Sequence, residues 1–186
     1  PMIEHVYIRA KVYKKWEKLF VAGCDPEIKI FCNNENIPYI ETSKKHQRCL
    51  DRIYEAAYKK RRLISDKDLI LCVQGDEPML RPEMITNCIR PFYRNKNIKA
   101  TVLAMNIIGK EQYFDPNIVK IIHDENDEVL YTSRSPIPYS KKFYKGLGAK
   151  RIYGIFAFKW SFLKKFYFTK ESFLEKVESC DSNRIC

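Results

Sequence analysis

Residues Leu69 to Val73 form an unbroken apolar run that ends on Gln74-Gly75-Asp76-Glu77-Pro78. A run this short, closed by a Gly and a Pro, predicts a β-strand buried on both faces, as in the middle of a parallel sheet. Open α/β sheets bind their ligands just beyond the carboxyl ends of their strands. Asp76 therefore stands where a metal ion or a nucleotide phosphate is held. Gly75 lets the backbone pass close to such a ligand. An isolated Gly-Asp would read more simply as a strand end with a solvated turn.

The rest of the chain supplies the company such a strand needs. Ile3, Val6, Tyr7, Ala10 and Tyr13 recur at a helical period from Met2 to about Glu17. Leu19–Ala22 reads as a strand, and Gly23-Cys24-Asp25-Pro26 as a turn into a helix. Tyr39–Thr42 is a short strand. From Gln47 to Arg62, Leu50, Ile53, Tyr54, Ala57 and Tyr58 share one helical face. Pro82 opens a further helix at a favourable first-turn position, running to about Tyr93, and Ala100–Met105 is another strand. This alternation predicts an α/β fold with a Rossmann-like, mostly parallel sheet. The pattern then changes. Ile118–Ile122 and Glu128–Thr132 flank the polar Asp124–Asp127, which predicts a hairpin. Ile152–Phe158 is one more strand, and Trp160–Phe166 and Phe173–Arg184 read as helices. Ser140–Lys150, basic and Gly-containing, reads as a mobile loop. Residues 1–186 form one expected domain, with 114–139 as an inserted hairpin part.

A net charge of +11 raises the question of a polyanionic partner. The basic residues are spread along the chain, and the densest run, Lys59–Arg62, sits where cations complement the end of a helix. Nucleic acid is therefore not the expected partner, while a nucleoside triphosphate and an acidic sugar would benefit from the same sign. The seven cysteines include no Cys-x-x-Cys pair, which removes zinc knuckles and redox motifs. Cys72 reads as a small core residue and the thiols as reduced. No apolar run approaches the ~20 residues that span a bilayer, and the expected compartment is the cytoplasm.

The string Val73-Gln74-Gly75-Asp76-Glu77-Pro78 resembles the signature of the cytidylyltransferases that activate 3-deoxy-manno-octulosonate (Kdo) as its CMP sugar. Other segments extend the resemblance in the same order along the chain. These are Pro1–Val6, Thr42–Ala56 around His46-Gln47 and Asp51-Arg52, Phe114–Lys120, Leu130–Tyr139, and Ser172–Glu178. The resemblance implies nucleotidyl transfer in lipopolysaccharide biosynthesis. A sugar hydroxyl attacks the α-phosphate of CTP and pyrophosphate leaves, with Mg²⁺ as the hard cation such chemistry favours. It implies Asp76 as the catalytic metal carboxylate and Gln74, Arg52, Arg134, Lys141, Glu175 and Glu178 as substrate-binding residues. Arg134 would meet the sugar carboxylate, which a planar guanidinium matches. Glu175 and Glu178 would bind sugar hydroxyls. It also implies a homodimer built through 114–139.

The residues' own pattern leaves Glu175 and Glu178 equally readable as a solvated helix face, and Arg52 as an exposed helix residue near Asp51. His46, without an evident partner in sequence, reads as a capping or packing residue, and Trp16 and Trp160 as packing residues. Family members open with a strand and a basic phosphate loop and carry a second metal aspartate near their end. Neither matches a segment here, so the chain reads as an interior piece that lacks turnover when expressed alone. Arg48-Cys49-Leu50 replaces the family's Ser-Gly-Thr. Ile152 and Phe156 stand where the family has His and Tyr, which opens the alternative of another acidic sugar, an amino-Kdo or a nonulosonate. A non-catalytic polyanion-binding piece is the reading from a different class.

Overall fold

The computed structural model describes residues 1–185. In chain order the elements are α1 (Met2–Val12), β1 (Val21–Gly23), α2 (Pro26–Asn34), β2 (Tyr39–Glu41), α3 (Cys49–Lys59), β3 (Leu69–Val73), α4 (Pro82–Arg94), β4 (Ala100–Asn106), α5 (Lys110–Phe114), β5 (Lys120–His123), β6 (Val129–Ser133), β7 (Lys150–Lys159), α6 (Trp160–Phe168) and α7 (Phe173–Glu178). The chain divides into two compact units. One comprises Pro1–Thr101 with Gly154–Phe168, and the other Val102–Tyr153 with the residues from Thr169 onward. β7 therefore contributes its second half to the first unit and its first half to the second.

In the first unit, α2 and α4 begin where Pro occupies the first turn, its fixed φ fitting the helix and its missing N–H costing nothing there. The β1–α2–β2 segment returns β2 parallel to β1, pairing Val21 with Tyr39 and Gly23 with Glu41. Val21, Cys32 and Ile37 form a small core beneath this pair, with Ile3 and Tyr7 of α1 packed on it.

β3 departs from expectation in two ways. Its partner is β7, antiparallel, with Leu69 opposite Lys159 and Val73 opposite Ile155. Of its apolar residues only Cys72 is buried, while Leu69, Ile70, Leu71 and Val73 are half-buried. The physical reason is position. β3 is the end strand of its sheet, so one edge and much of its apolar surface have no neighbouring strand. The second half of β7 is as thoroughly buried as the sequence predicts for β3, with Ile155, Ala157 and Phe158 fully enclosed.

α3 and α6 carry an aromatic stack. The Tyr54 ring lies 3.9 Å from Tyr167 at an interplanar angle of 15° and 5.7 Å from Trp160 at 18°. Flat aromatic contacts add to the area buried, and Trp160 packs as expected.

In the second unit, β5 and β6 form the predicted hairpin, antiparallel with Lys120 opposite Ser133. β5 also pairs with β7 through Lys120 and Arg151. Two sequence expectations change. The stretch read as a loop, Ser140–Lys150, holds a 3-10 turn at Lys145–Leu147, a left-handed Gly148 at φ 68°, and a buried Ala149. The helix expected through Arg184 stops at Glu178, because Ser179 adopts φ 51° and turns the chain into a separate 3-10 turn at Asp181–Arg184. Ser172 caps α7, its hydroxyl accepting the Glu175 N–H at 3.0 Å.

Truncating Tyr54 to Ala removes the centre of the aromatic stack and leaves a cavity between α3 and α6. The expected loss is about 3 kcal/mol of stability in urea denaturation. A loss under about 1 kcal/mol would show that the stack does not hold these helices together.

Candidate active site

In the first unit, the strand-end turn and the residues around it form one connected group. The Gln74 N–H donates to the Gly154 carbonyl at 2.8 Å, and the Gly154 N–H donates to Glu77 Oε1 at 2.8 Å. A Cβ built on Gly154 would lie 2.6 Å from Gln74 Oε1, 2.9 Å from Gln74 Cβ and 3.0 Å from Glu77 Cγ. Only glycine admits this approach. Of the two carboxylates that follow β3, Glu77 is thus spent on the backbone of β7. Asp76 is exposed, and its carboxylate has no partner among the described residues.

Among the described residues, no three His, Cys, Asp or Glu side chains gather as a metal cage. A single free carboxylate fits Mg²⁺ all the same, since that ion keeps waters and takes phosphate oxygens beside one or two protein carboxylates.

The loop before α3 is held from the helix. Arg52 donates to Thr42 Oγ1 at 2.7 Å, to the Ser43 carbonyl at 3.3 Å and to the His46 carbonyl at 3.3 Å. Glu55, one turn on, accepts the Ser43 N–H at 2.8 Å and pairs with His46 Nε2 at 2.5 Å and Lys59 Nζ at 2.9 Å. Burial alone would raise the Glu55 pKa. The hydrogen bonds from Lys59, the Ser43 amide and His46 outweigh it and hold the carboxyl at about 2. His46 is a packing and bridging residue, as the sequence suggests, with a partner nine residues away that the sequence pattern did not reveal. Gln74 Nε2 reaches Cys49 Sγ at 3.0 Å, so the triplet Arg48-Cys49-Leu50 meets the strand-end turn through Cys49. Leu50 is buried in the core.

The other four predicted residues belong to the second unit. Glu178 accepts from Tyr131 Oη at 2.6 Å, Ser133 Oγ at 2.7 Å and the Arg134 N–H at 2.8 Å. Burial acts to raise its pKa, but those donors leave it below the ordinary glutamate range. Arg134 donates to the carbonyls of Glu178 at 2.8 Å, Pro116 at 2.9 Å and Ser179 at 3.3 Å. Three of its five N–H donors are therefore used within the unit, and two remain for a ligand. Glu175 is 0% exposed, and Arg184 grips it through Nε at 2.8 Å and a terminal nitrogen at 2.6 Å. Neither sequence reading of Glu175 survives: it is not on a solvated face, and no sugar hydroxyl can approach it. Lys141 is exposed. Phe156, in the family's Tyr position, is buried opposite Cys72.

Sequence reasoning missed Lys120. It is fully buried and donates to the carbonyls of Asp115, Ile118 and Arg134 at 2.7–2.8 Å, and burial lowers its pKa. A lysine inside the apolar Ile118–Ile122 run was the available signal. None of the six cysteines among the described residues is in a disulfide, and Cys72 is buried as predicted.

Glu55 contributes stability that is complete above its unfolded pKa of 4.5 and is lost as the pH falls toward about 2. Glu55→Gln should lose roughly 2 kcal/mol in urea denaturation at neutral pH, and the gap to the parent should close near pH 2. A gap independent of pH would show that the carboxylate charge plays no part.

A profile of the family described as cytidylyltransferase matches residues 1–186. A 3-deoxy-manno-octulosonate cytidylyltransferase from Thermodesulfovibrio yellowstonii is 36% identical over 99% of this chain and 75% of its own length. One of the same name from Fusobacterium nucleatum is 36% identical over 99% and 73%. A solved structure of CMP:2-keto-3-deoxy-manno-octonic acid synthetase complexed with CTP matches with a TM-score of 0.84 at 29% identity, covering 100% of this chain and 74% of that one. A 4-diphosphocytidyl-2C-methyl-D-erythritol synthase from Anaerococcus prevotii, 14% identical over 99% of this chain and 73% of its own, shares the fold with a TM-score of 0.57.

Proposed function

The chain belongs to the cytidylyltransferase family, and from that premise we infer that it acts as a 3-deoxy-manno-octulosonate cytidylyltransferase, forming the CMP sugar from CTP with release of pyrophosphate for lipopolysaccharide synthesis. The observation that carries the reading is Asp76, an exposed carboxylate without a partner among the described residues at the end of β3, in a turn that Gln74, Glu77 and Gly154 hold rigid. Displacement at a phosphate is mostly positioning and charge neutralisation, so a rigid turn with one free carboxylate is what the chemistry asks of the protein. Asp76 would hold Mg²⁺, which when bound neutralises charge on the triphosphate.

The remaining residues position and bind. Arg52 fixes the 42–46 loop and thereby the segment that leads into Cys49. Gln74, whose side-chain amide meets Cys49, stands two residues before Asp76 as a further polar group for the acid sugar. Arg134, with two donors left, and the exposed Lys141 supply positive charge for an acid sugar. Glu178 orients Arg134, and Glu175 with Arg184 braces the helix that carries Glu178. Among the described residues no helix is long and apolar enough to cross a membrane, which accords with a cytoplasmic enzyme. The hairpin at 114–139, which leaves Leu130 and Tyr139 exposed, is the proposed homodimer contact.

In a protein carrying this chain, Asp76→Asn should lower pyrophosphate release from CTP and Kdo at least 100-fold without changing the thermal midpoint. Turnover near that of the parent at saturating Mg²⁺ removes Asp76 from the chemistry. Running the same assay with a panel of acidic sugars identifies the acceptor. Light scattering at micromolar concentration should give twice the chain mass, and a clean monomer would refute the dimer.

A further inference from the structure

Lys120 opens β5 in the second unit, and its side chain is fully buried. An ammonium carries three N–H donors and no acceptor. Here all three end on backbone carbonyls, those of Asp115 at 2.8 Å, Ile118 at 2.7 Å and Arg134 at 2.7 Å. Burial lowers its pKa, against the pull of the Asp115 carboxylate. A buried ammonium is costly unless its donors are satisfied, and its neighbours Ile118, Val119, Ile121 and Ile122 show that the strand otherwise takes aliphatic residues. The groups that its three bonds join are therefore informative.

Two of them, Asp115 and Ile118, begin and end one tight turn. The Ile118 N–H donates to the Asp115 carbonyl at 3.2 Å, and the Asn117 N–H donates to the Asp115 carboxylate at 2.8 Å. The third, Arg134, follows β6 directly, and Ser133 before it stands opposite Lys120 in the hairpin register. Arg134 then comes back to the same turn, its Nη1 donating to the Pro116 carbonyl at 2.9 Å. Arg134 is thus attached to the 115–118 turn twice, by its carbonyl through Lys120 and by its guanidinium through Pro116. The carbonyls of Glu178 and Ser179 take Nε and Nη2. One N–H on each terminal nitrogen is left, and two such donors match the two oxygens of a carboxylate. Where that pair points depends on how the Pro116 carbonyl stands relative to the Arg134 backbone, and Lys120 fixes that relation.

We propose that Lys120 is a positioning residue for the acidic sugar: by tying the Arg134 carbonyl to the 115–118 turn, it aims the two remaining Arg134 N–H groups at the sugar carboxylate. Lys120 touches no ligand itself, since it is enclosed and its donors are all used. It acts by preorganisation, removing before binding the freedom that a loose Arg134 would lose on meeting the sugar. The inference rests on the role given to Arg134 above. Asp76, the group assigned to the triphosphate, belongs to the other unit, so the loss of Lys120 should be felt by the sugar and not by CTP.

In a protein carrying this chain, Lys120→Met keeps most of the side chain and removes its donors. The KM for Kdo should rise at least tenfold, while the KM for CTP stays within twofold. Arg134→Ala should also raise the KM for Kdo at least tenfold. Adding Lys120→Met to it should change that KM less than twofold, because the group that Lys120 positions is already gone. Lys120→Gln, which keeps two N–H donors, should give the same pattern with a smaller rise. An equal rise in both KM values, the same loss from Lys120→Met with and without Arg134, or an unchanged KM for Kdo in Arg134→Ala would overturn the proposal. So would unfolding of both Lys120 variants, read from thermal midpoints, since the lysine would then only hold the fold. A parent that releases no pyrophosphate from CTP and Kdo would overturn the assigned reaction and this role with it. Turnover by the parent, with any of the other failures, would overturn the role of Lys120 alone.

Discussion

The contact between Gly154 and the end of β3 governs the first unit's chemistry. Two hydrogen bonds, Gln74 N–H to the Gly154 carbonyl and Gly154 N–H to Glu77, stitch the turn to β7 on either side of a residue with no side chain. Because a Cβ there would fall 2.6–3.0 Å from Gln74 and Glu77, the approach exists only for glycine. The turn is thereby fixed in register, and the one carboxylate it leaves free is Asp76. A mobile Asp76 would have to be ordered anew each time it met a ligand; a fixed one has that entropy already removed.

Local signals made most elements legible in the sequence. Pro26 and Pro82 mark the starts of α2 and α4, and the Leu69–Val73 run coincides with β3 to the residue. These readings succeed because they depend on neighbours a few positions away. The partner of β3 depends on β7, more than 80 residues later, and no period in either strand encodes it. The same five apolar residues can line a central strand or an end strand, so composition predicted burial that the topology does not deliver. The end of α7 failed for a different reason. Ser179 takes a left-handed conformation that serine seldom adopts, and no glycine or asparagine stood there to announce it.

The candidate site divides along the same line. Asp76 was legible because a strand, a glycine and an acid follow one another directly. The duties of Arg52, Glu55 and His46 were not, since each is set by where the loop at 42–46 folds back on α3. The resemblance named Arg134, Glu175 and Glu178 together, yet their environments separate them. Glu175 is sealed against Arg184, Glu178 accepts from three donors of the 131–134 segment, and Arg134 retains part of its fork. Lys120, with its three carbonyl partners, holds the start of the hairpin and the residue that follows it, Arg134, to the 115–118 turn.

These carboxylates show how a residue's duty follows from its spare hydrogen-bonding capacity. An ionised carboxylate has about four acceptor positions, and a ligand can use only those the protein leaves open. Glu175 is enclosed, Glu178 accepts from three donors, Glu55 accepts from a backbone amide and two side chains, and Glu77 accepts from Gly154. Each of these groups stiffens the fold through donors it already has. Asp76 keeps its full capacity while its backbone is clamped from both sides. Desolvating a charge that has no partner is costly, so an uncompensated carboxylate persists only where water or a cation can reach it. A rigid, exposed carboxylate with no partner among the described residues, in a chain of net charge +11, is therefore poised for a cation carried with an anionic substrate, which the chain's overall positive charge attracts.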